Sequence, residues 1–368
     1  MADSLLLSRP PSGRIPQIEL VRAVAMVAIF VYHLWSVVPT VTESGWVGRT
    51  VGTVSGFGYL GVVFFNFITG LVLALPYLGP QHRAVPSVSY FLRRRFLRIC
   101  PKYYFALTLW SSVLLFSGSQ RNSDLLPAFA AHLTFSHAMF TETFFAIVPA
   151  YWWLGLLAQF YLVFPLVLRL FKSLGAAKAC LFICLACWSL WIAFNLLSQP
   201  GSVWALINYM LYFNLPARLP EFAIGMWLAE AWRGEIADDA AAQPDGRSAL
   251  KQPLLWLAVL ALLFAVSAGV VLHVQRLCFY HISMVAWCFV VFAALLLLKF
   301  SFRLGQSFVV VKIATASYSI YLLHQPLLGY AHDALGGSLP PLTEYTLLLL
   351  VIGAASFAFA EVLDRVVI

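Results

Sequence analysis

The chain alternates long apolar runs with short polar stretches, and ten of the runs are long enough to cross a bilayer. A helical span needs about 20 mostly apolar residues, each rising about 1.5 Å. Runs of that kind occupy about 18–38, 56–78, 99–117, 151–170, 177–197, 215–232, 253–273, 277–298, 313–331 and 343–363. The stretch 118–150 is mixed and has room for a short re-entrant or interfacial helix. Residues 233–252 carry Asp238, Asp239, Pro244, Asp245 and Gly246 and read as the main solvated loop. The seventh and eighth runs form a hairpin around Arg276. The pattern predicts an all-α membrane protein, a bundle of about ten transmembrane helices.

Composition agrees with the pattern. Hydrophobic residues make up 62% of the 368 and charged residues only 10%, whereas a soluble domain carries about 25% charged residues. The 12 Trp and 15 Tyr suit the aromatic belts of a membrane interface.

The net charge of +8 would be compatible with nucleic acid if it lay along one amphipathic face. Instead it falls between the apolar runs and sets topology. Of the 23 Lys and Arg residues, only Arg49, Arg121 and Arg276 fall in outer segments if the N-terminus is inside. Arg22, Lys102 and Arg218 lie within or at the ends of spans, and the remaining 17 fall in inner segments. Ten crossings with both termini cytoplasmic satisfy this asymmetry. Residues 1–17 are polar and Pro-rich, and the apolar run that follows is long enough to span, with no small-residue cleavage site after it. They are expected to be a cytoplasmic tail, followed by a single integral-membrane domain over 18–365. No internal repeat stands out, which argues against an inverted-repeat transporter.

Six cysteines sit in or beside apolar runs, where Cys behaves as a small hydrophobe. Cys180, Cys184 and Cys187 share a helix face, but no closing soft-metal ligand is evident, so no metal site is expected. His132, His137, His273, His281 and His332 have no metal-ligand spacing and receive no role.

Ionisable groups inside a span cost at least about 2.5 to 3.5 kcal/mol and therefore need a partner or a purpose. The first run holds Glu19, Arg22 and His33. Eleven residues at about 100° each overshoot three full turns by only about 20°, so Arg22 and His33 share one face, about 16 Å apart along the axis. Glu19 stands three residues before Arg22 and can pair with it. The plainer alternative is an arginine reaching the headgroups and an interfacial histidine.

Arg22-x10-His33 near the N-terminus resembles the signature of the acyltransferase-3 family of bacterial membrane O-acyltransferases. Five further stretches resemble that family in order. They are Gly61-Val-Val-Phe-Phe-Asn-Phe-Ile-Thr-Gly70, Arg93-Arg-Arg-Phe-Leu-Arg98-Ile-Cys-Pro101 and Gln159-Phe-Tyr161-Leu-Val-Phe-Pro165, then Arg218-Leu-Pro-Glu221-Phe-Ala-Ile-Gly225 and Ser317-Tyr-Ser-Ile-Tyr-Leu-Leu-His324. There are departures. Val63 and Thr69 stand where the family commonly has an acid and a Ser, and Leu157 and Ala158 where a Glu often precedes the Gln-Phe-Tyr. A carboxylate that matters there in some members is lost here or moved. No hydrolase-like outer domain is expected after the tenth span, so such a partner would be a separate protein or unnecessary.

The resemblance implies an enzyme of the bacterial inner membrane. It would move an acyl group, usually acetyl from acetyl-CoA as co-substrate, onto a hydroxyl of a carbohydrate acceptor such as an exported or envelope polysaccharide. Acyl transfer to a hydroxyl needs a base, and His33 can serve as one or take the acyl group first as a nucleophile. The catalytic set is then His33 with Arg22 and Glu19. Arg93, Arg94, Arg95 and Arg98, expected in a basic loop before the third span, suit the phosphates of a cytosolic acyl-CoA, although such a run is also a plain topology signal. Gln159 and Tyr161 can hold the acceptor or the thioester oxygen. Arg218 and Glu221, three apart, form a clamp or surround a ligand. His324 lies two residues before Pro326, which cannot donate to the carbonyl of Leu322, so a polar pocket or core hydrogen bonding is expected there. A transporter or flippase that moves a glycan or metabolite without covalent chemistry is the rival reading.

Overall fold

The computed structural model describes residues 15–79, 83–117, 122–198, 201–238 and 303–367, and all regular structure among them is helical. Helix α1 (Pro16–Val37) begins at a proline, which is suited to a first helical position because it has no N–H to leave unsatisfied. A 3-10 turn leads to α2 (Gly45–Gly56), and a second runs on into α3 (Leu60–Leu78). Then follow α4 (Val88–Phe116), α5 (Asn122–Leu133), the single turn α6 (Thr141–Phe144), α7 (Trp152–Leu174), α8 (Ala176–Leu197), α9 (Val203–Phe213) and α10 (Leu215–Asp238). Two long helices close the chain, α11 (Phe308–Leu335) and α12 (Pro341–Val366).

By length and composition six stretches among the described residues can cross a membrane: Pro16–Val37, Gly45–Leu78, Val88–Phe116, Pro149–Leu174, Ala176–Phe194 and Pro341–Val366. They cover the expected first five spans and the tenth. The stretches expected as the sixth and ninth spans are helical, as α10 and α11, but are not among these six. The expected seventh and eighth spans lie outside the described residues.

Two local expectations are corrected. Arg93 to Arg98 are not in a loop, because α4 already begins at Val88 and carries all four arginines on its first turns. Arg is a strong helix former, and a solvated helical turn has the same hydropathy as a loop. The expected solvated loop is likewise helical as far as Asp238, and the rest of it lies outside the described residues. The mixed stretch holds α5, α6 and 3-10 turns, and α2 was not expected as a separate helix.

The chain divides into two compact units. One comprises Met1–Phe64, Arg94–Gly155 and Phe300–Ile368, and the other Phe65–Arg93 and Leu156–Lys299. In the first, α11 is the central helix, packed along both α1 and α12. An ion pair and hydrogen bonds tie helices of this unit together. Lys102 Nζ donates to Asp364 Oδ1 at 2.6 Å, and Ser319 Oγ donates to the same carboxylate. Buried Glu344 accepts from His332 Nδ1 at 2.5 Å.

In the second unit α3 and α10 approach backbone to backbone. A Cβ at Gly70 would strike the main chain of Phe222, and one at Gly225 the main chain of Phe67. Small residues permit this approach between membrane helices. Gly70→Ala or Gly225→Ala is therefore expected to destabilise the protein by about 1–3 kcal/mol, the cost of overpacking. Gly329→Ala, where nothing lies within 4 Å, should be neutral or stabilising because alanine favours helix. Thermal denaturation in detergent compares the three.

Candidate active site

Helix α1 is unbroken from Pro16 to Val37, so the helical geometry relating Arg22 to His33 holds. At its start Arg22 Nη1 lies 3.4 Å from Glu19 Oε1. Glu19 is buried and the Arg22 side chain a quarter exposed, so the acid anchors the guanidinium close to its own helix.

Eleven residues further on, His33 meets His324 of α11, with Nδ1 of the first 2.9 Å from Nε2 of the second. The surrounding carbonyls decide which nitrogens carry protons. His324 Nδ1 lies 2.9 Å from Tyr321 O and 3.2 Å from Ile320 O, acceptors that only an N–H can serve. His324 Nε2 is therefore bare and accepts, and His33 Nδ1–H donates. This leaves His33 with a bare Nε2, the form of imidazole that can take a proton or attack a carbonyl. His324 is fully buried, its ring between Phe30 at 6.0 Å and Tyr321 at 5.8 Å, while His33 is only partly buried and has Tyr32 edge-on at 5.5 Å. His324 is thus bonded at both ring nitrogens, and His33 through Nδ1.

The carbonyl freed by Pro326 is present, but it does not open a pocket. Leu322 O accepts from Trp110 Nε1 at 3.1 Å and from Tyr151 Oη at 2.8 Å. One turn further along α11, Gln325 Oε1 accepts the N–H of Ala150 at 2.6 Å, and Tyr321 Oη donates to the carbonyl of Ala150. The defect in the helix thus anchors α4 and the turn before α7, which fixes the rotation of the helix that carries His324.

Beneath that turn lies a polar layer that no spacing in the sequence announced. The His132 and His137 rings stack at 3.8 Å, and both residues are fully buried. His132 Nε2 donates to Ala146 O at 3.1 Å, and its Nδ1 accepts from Tyr103 Oη at 2.8 Å. His137 Nε2 donates to Tyr151 O at 2.9 Å. Burial, and for His132 also the adjoining His137, pushes the two imidazoles down to about 2 and about 4 respectively, so both are neutral. They brace a loop in which Ile147, a β-branched residue, is held at φ 63°.

In the second unit the other expected residues close on one another. Glu221 Oε1 accepts from Arg218 Nη1 at 3.0 Å and Oε2 from Asn66 Nδ2 at 2.6 Å, with all three side chains buried. Arg218 Nε also donates to Tyr212 O at 3.0 Å, and its guanidinium lies 4.8 Å from the Tyr212 ring centroid. Gln159 Nε2 donates to Asn214 Oδ1 at 2.5 Å, and its Oε1 accepts from Leu215 N at 3.1 Å. Gln159 therefore ties α7 to the start of α10. Tyr161 is buried with its ring edge-on to Phe91 at 6.3 Å. Leu157 and Ala158, at the family's acidic position, are buried and apolar, and Glu221 is the buried carboxylate among this unit's described residues. Arg93, Arg94 and Arg98 are exposed and Arg95 is half-buried. Asn66, Asn214 and the His132–His137 pair were not singled out in the sequence.

The family model described as an acyltransferase domain, acyltransferase family 3, matches residues 15–361. The chain belongs to that family. It is also 25% identical over 361 residues to an acyltransferase, MdmB, from Streptomyces mycarofaciens, covering 90% of this chain and 83% of the relative. No solved structure matches it. The protein is thus a multi-pass membrane acyltransferase of family 3, and His33 and His324 both lie within the matched residues.

Proposed function

We propose that this acyltransferase moves an acyl group, acetyl in the first instance, from cytosolic acyl-CoA to a hydroxyl of a carbohydrate acceptor, in the cytoplasmic membrane of a bacterium. The observation that carries the proposal is the 2.9 Å contact of His33 Nδ1 with His324 Nε2, a pairing that leaves Nε2 of the partly buried His33 bare. Nε2 removes the proton from the acceptor hydroxyl as its oxygen attacks the thioester carbonyl. An oxygen–carbon bond forms, the carbon–sulfur bond breaks, and the imidazolium returns its proton to the departing thiolate. The same nitrogen can instead attack the thioester first, giving an acyl-histidine that the hydroxyl then resolves. Arg22, about 16 Å along the same face, stands at the end of α1 where a cytosolic donor arrives, and exposed Arg93, Arg94 and Arg98 offer planar donors to its phosphates. A carbohydrate acceptor follows from the family resemblance alone. Mass spectrometry of surface glycans from a strain lacking the gene tests it. Loss of an acyl mass is expected, and unchanged glycans would remove carbohydrate as the acceptor.

In this scheme His324 is a positioning residue. His324→Ala should lower kcat roughly 10²-fold, the penalty for a misplaced catalytic group, with little change in the KM for acyl-CoA. His324→Gln keeps an acceptor for His33 Nδ1–H and should recover part of the loss. An equal loss in both variants, or a loss confined to KM, would assign His324 to packing or binding.

A further inference from the structure

A groove of about 610 Å³ runs along α11 between α1 and α12, and it is independent of the acyl-transfer reading. Its walls are almost wholly hydrocarbon. Met26 and Phe30 form one side, Ile313 and Ile320 the floor, and α12 the other side, where Gly353 and Ala354 stand between Leu349 and Phe357. Val27, Phe308 and Val309 on its rim are exposed at 48%, 75% and 63%, so the groove opens on the surface of the unit.

One end is charged. Glu361 accepts from Lys312 Nζ through both oxygens, at 3.1 and 3.3 Å, and lies 3.7 Å from Arg365 Nη2. Two cations share one carboxylate, leaving one positive charge. The Arg365 side chain is 80% exposed and that of Lys312 40%, so both can meet an anion. From Lys312 to Ile320 the floor rises about 12 Å at the helical 1.5 Å per residue. One leaflet of a bilayer core is about 15 Å thick, half of the whole. The stretch from the cations to the apolar end is therefore about as long as one leaflet is thick.

We propose that the groove holds one acyl chain of an anionic phospholipid, with the lipid phosphate on Lys312 and Arg365. An oxyanion there gains charge-assisted hydrogen bonds from two donors that Glu361 alone does not saturate. The chain fills the hollow between α1 and α12. A zwitterionic lipid fits the hollow equally well but is favoured less at the mouth, because its own cation competes with Lys312 and Arg365.

Native mass spectrometry of the full-length protein tests this, with an equimolar mixture of phosphatidylglycerol and phosphatidylcholine of the same chain composition. The wild type is expected to retain one phosphatidylglycerol over phosphatidylcholine by roughly five- to thirty-fold, the range that one or two basic groups supply near a membrane surface. Ala354→Phe places a ring in the hollow from an exposed position and should abolish retention of both lipids. Lys312→Gln with Arg365→Gln should keep retention and lose the preference. Equal retention of the two lipids by the wild type would overturn the proposal, as would unchanged retention by Ala354→Phe. It would also fall if the wild type carried no lipid, or if it formed a dimer that Ala354→Phe dissolves, since a protein segment or a second copy would then fill the groove.

Discussion

His33→Ala is expected to lower the rate of acyl transfer by about 10²–10⁴-fold, the usual contribution of a positioned general base, while leaving expression and detergent stability close to wild type. The small structural cost follows from the surroundings. His33 is only partly buried, and the partner it leaves behind, His324 Nε2, is an acceptor on a ring whose Nδ1 remains bonded to backbone carbonyls. The large chemical cost follows from the tautomer, because removing His33 removes the bare Nε2 of this pair. Transfer rates of the purified variant with saturating acyl-CoA, alongside its melting temperature, separate the two effects. A variant that melts like wild type and transfers at the wild-type rate would take His33 out of the mechanism.

The largest effect on stability is expected at Glu221. Glu221→Ala removes the carboxylate from the buried Arg218 guanidinium, and breaking a buried pair by removing one partner typically costs about 3–5 kcal/mol. Asn66 loses its acceptor at the same stroke. Glu221→Gln keeps an acceptor oxygen but not the charge and should cost less. Replacing both partners, Arg218→Met with Glu221→Leu, should recover most of the loss, because a buried ion pair contributes little beyond a well-packed apolar one. Thermal unfolding of the two single variants and the double variant measures the coupling. A destabilised double variant with nearly additive losses would mean that the two residues do not act as a pair. Activity lost by Glu221→Gln without a change in melting temperature would assign the carboxylate to a ligand instead of to the fold.

What could be read from the sequence was whatever depends on one helix. Arg22 and His33 share a face because α1 is unbroken, and Arg218 meets Glu221 because residues three apart on a helix are neighbours. The freed carbonyl of Leu322 was legible for the same reason, since a proline cannot serve the carbonyl four residues back. Its two occupants were not, because Trp110 and Tyr151 come from residues 212 and 171 positions away in the chain. The pairing of His33 with His324, 291 positions apart, is equally hidden, although the sequence singles out each residue by itself. The contact of His132 with His137 is not legible in their spacing, because five residues on a helix place two side chains on different faces. They stack only because Phe135 between them adopts a left-handed conformation, φ 58°, which folds the chain back. Hydropathy misplaced the four arginines of α4 for a different reason, since it reports solvation and not backbone geometry.

Membranes from cells expressing the wild type, incubated with acyl-labelled CoA, should place the label in ester linkage on a hydroxyl acceptor, and His33→Ala membranes should not. Label that stays entirely with CoA in wild-type membranes, while a glycan or metabolite still crosses the bilayer, would contradict acyl transfer and leave a transporter in its place.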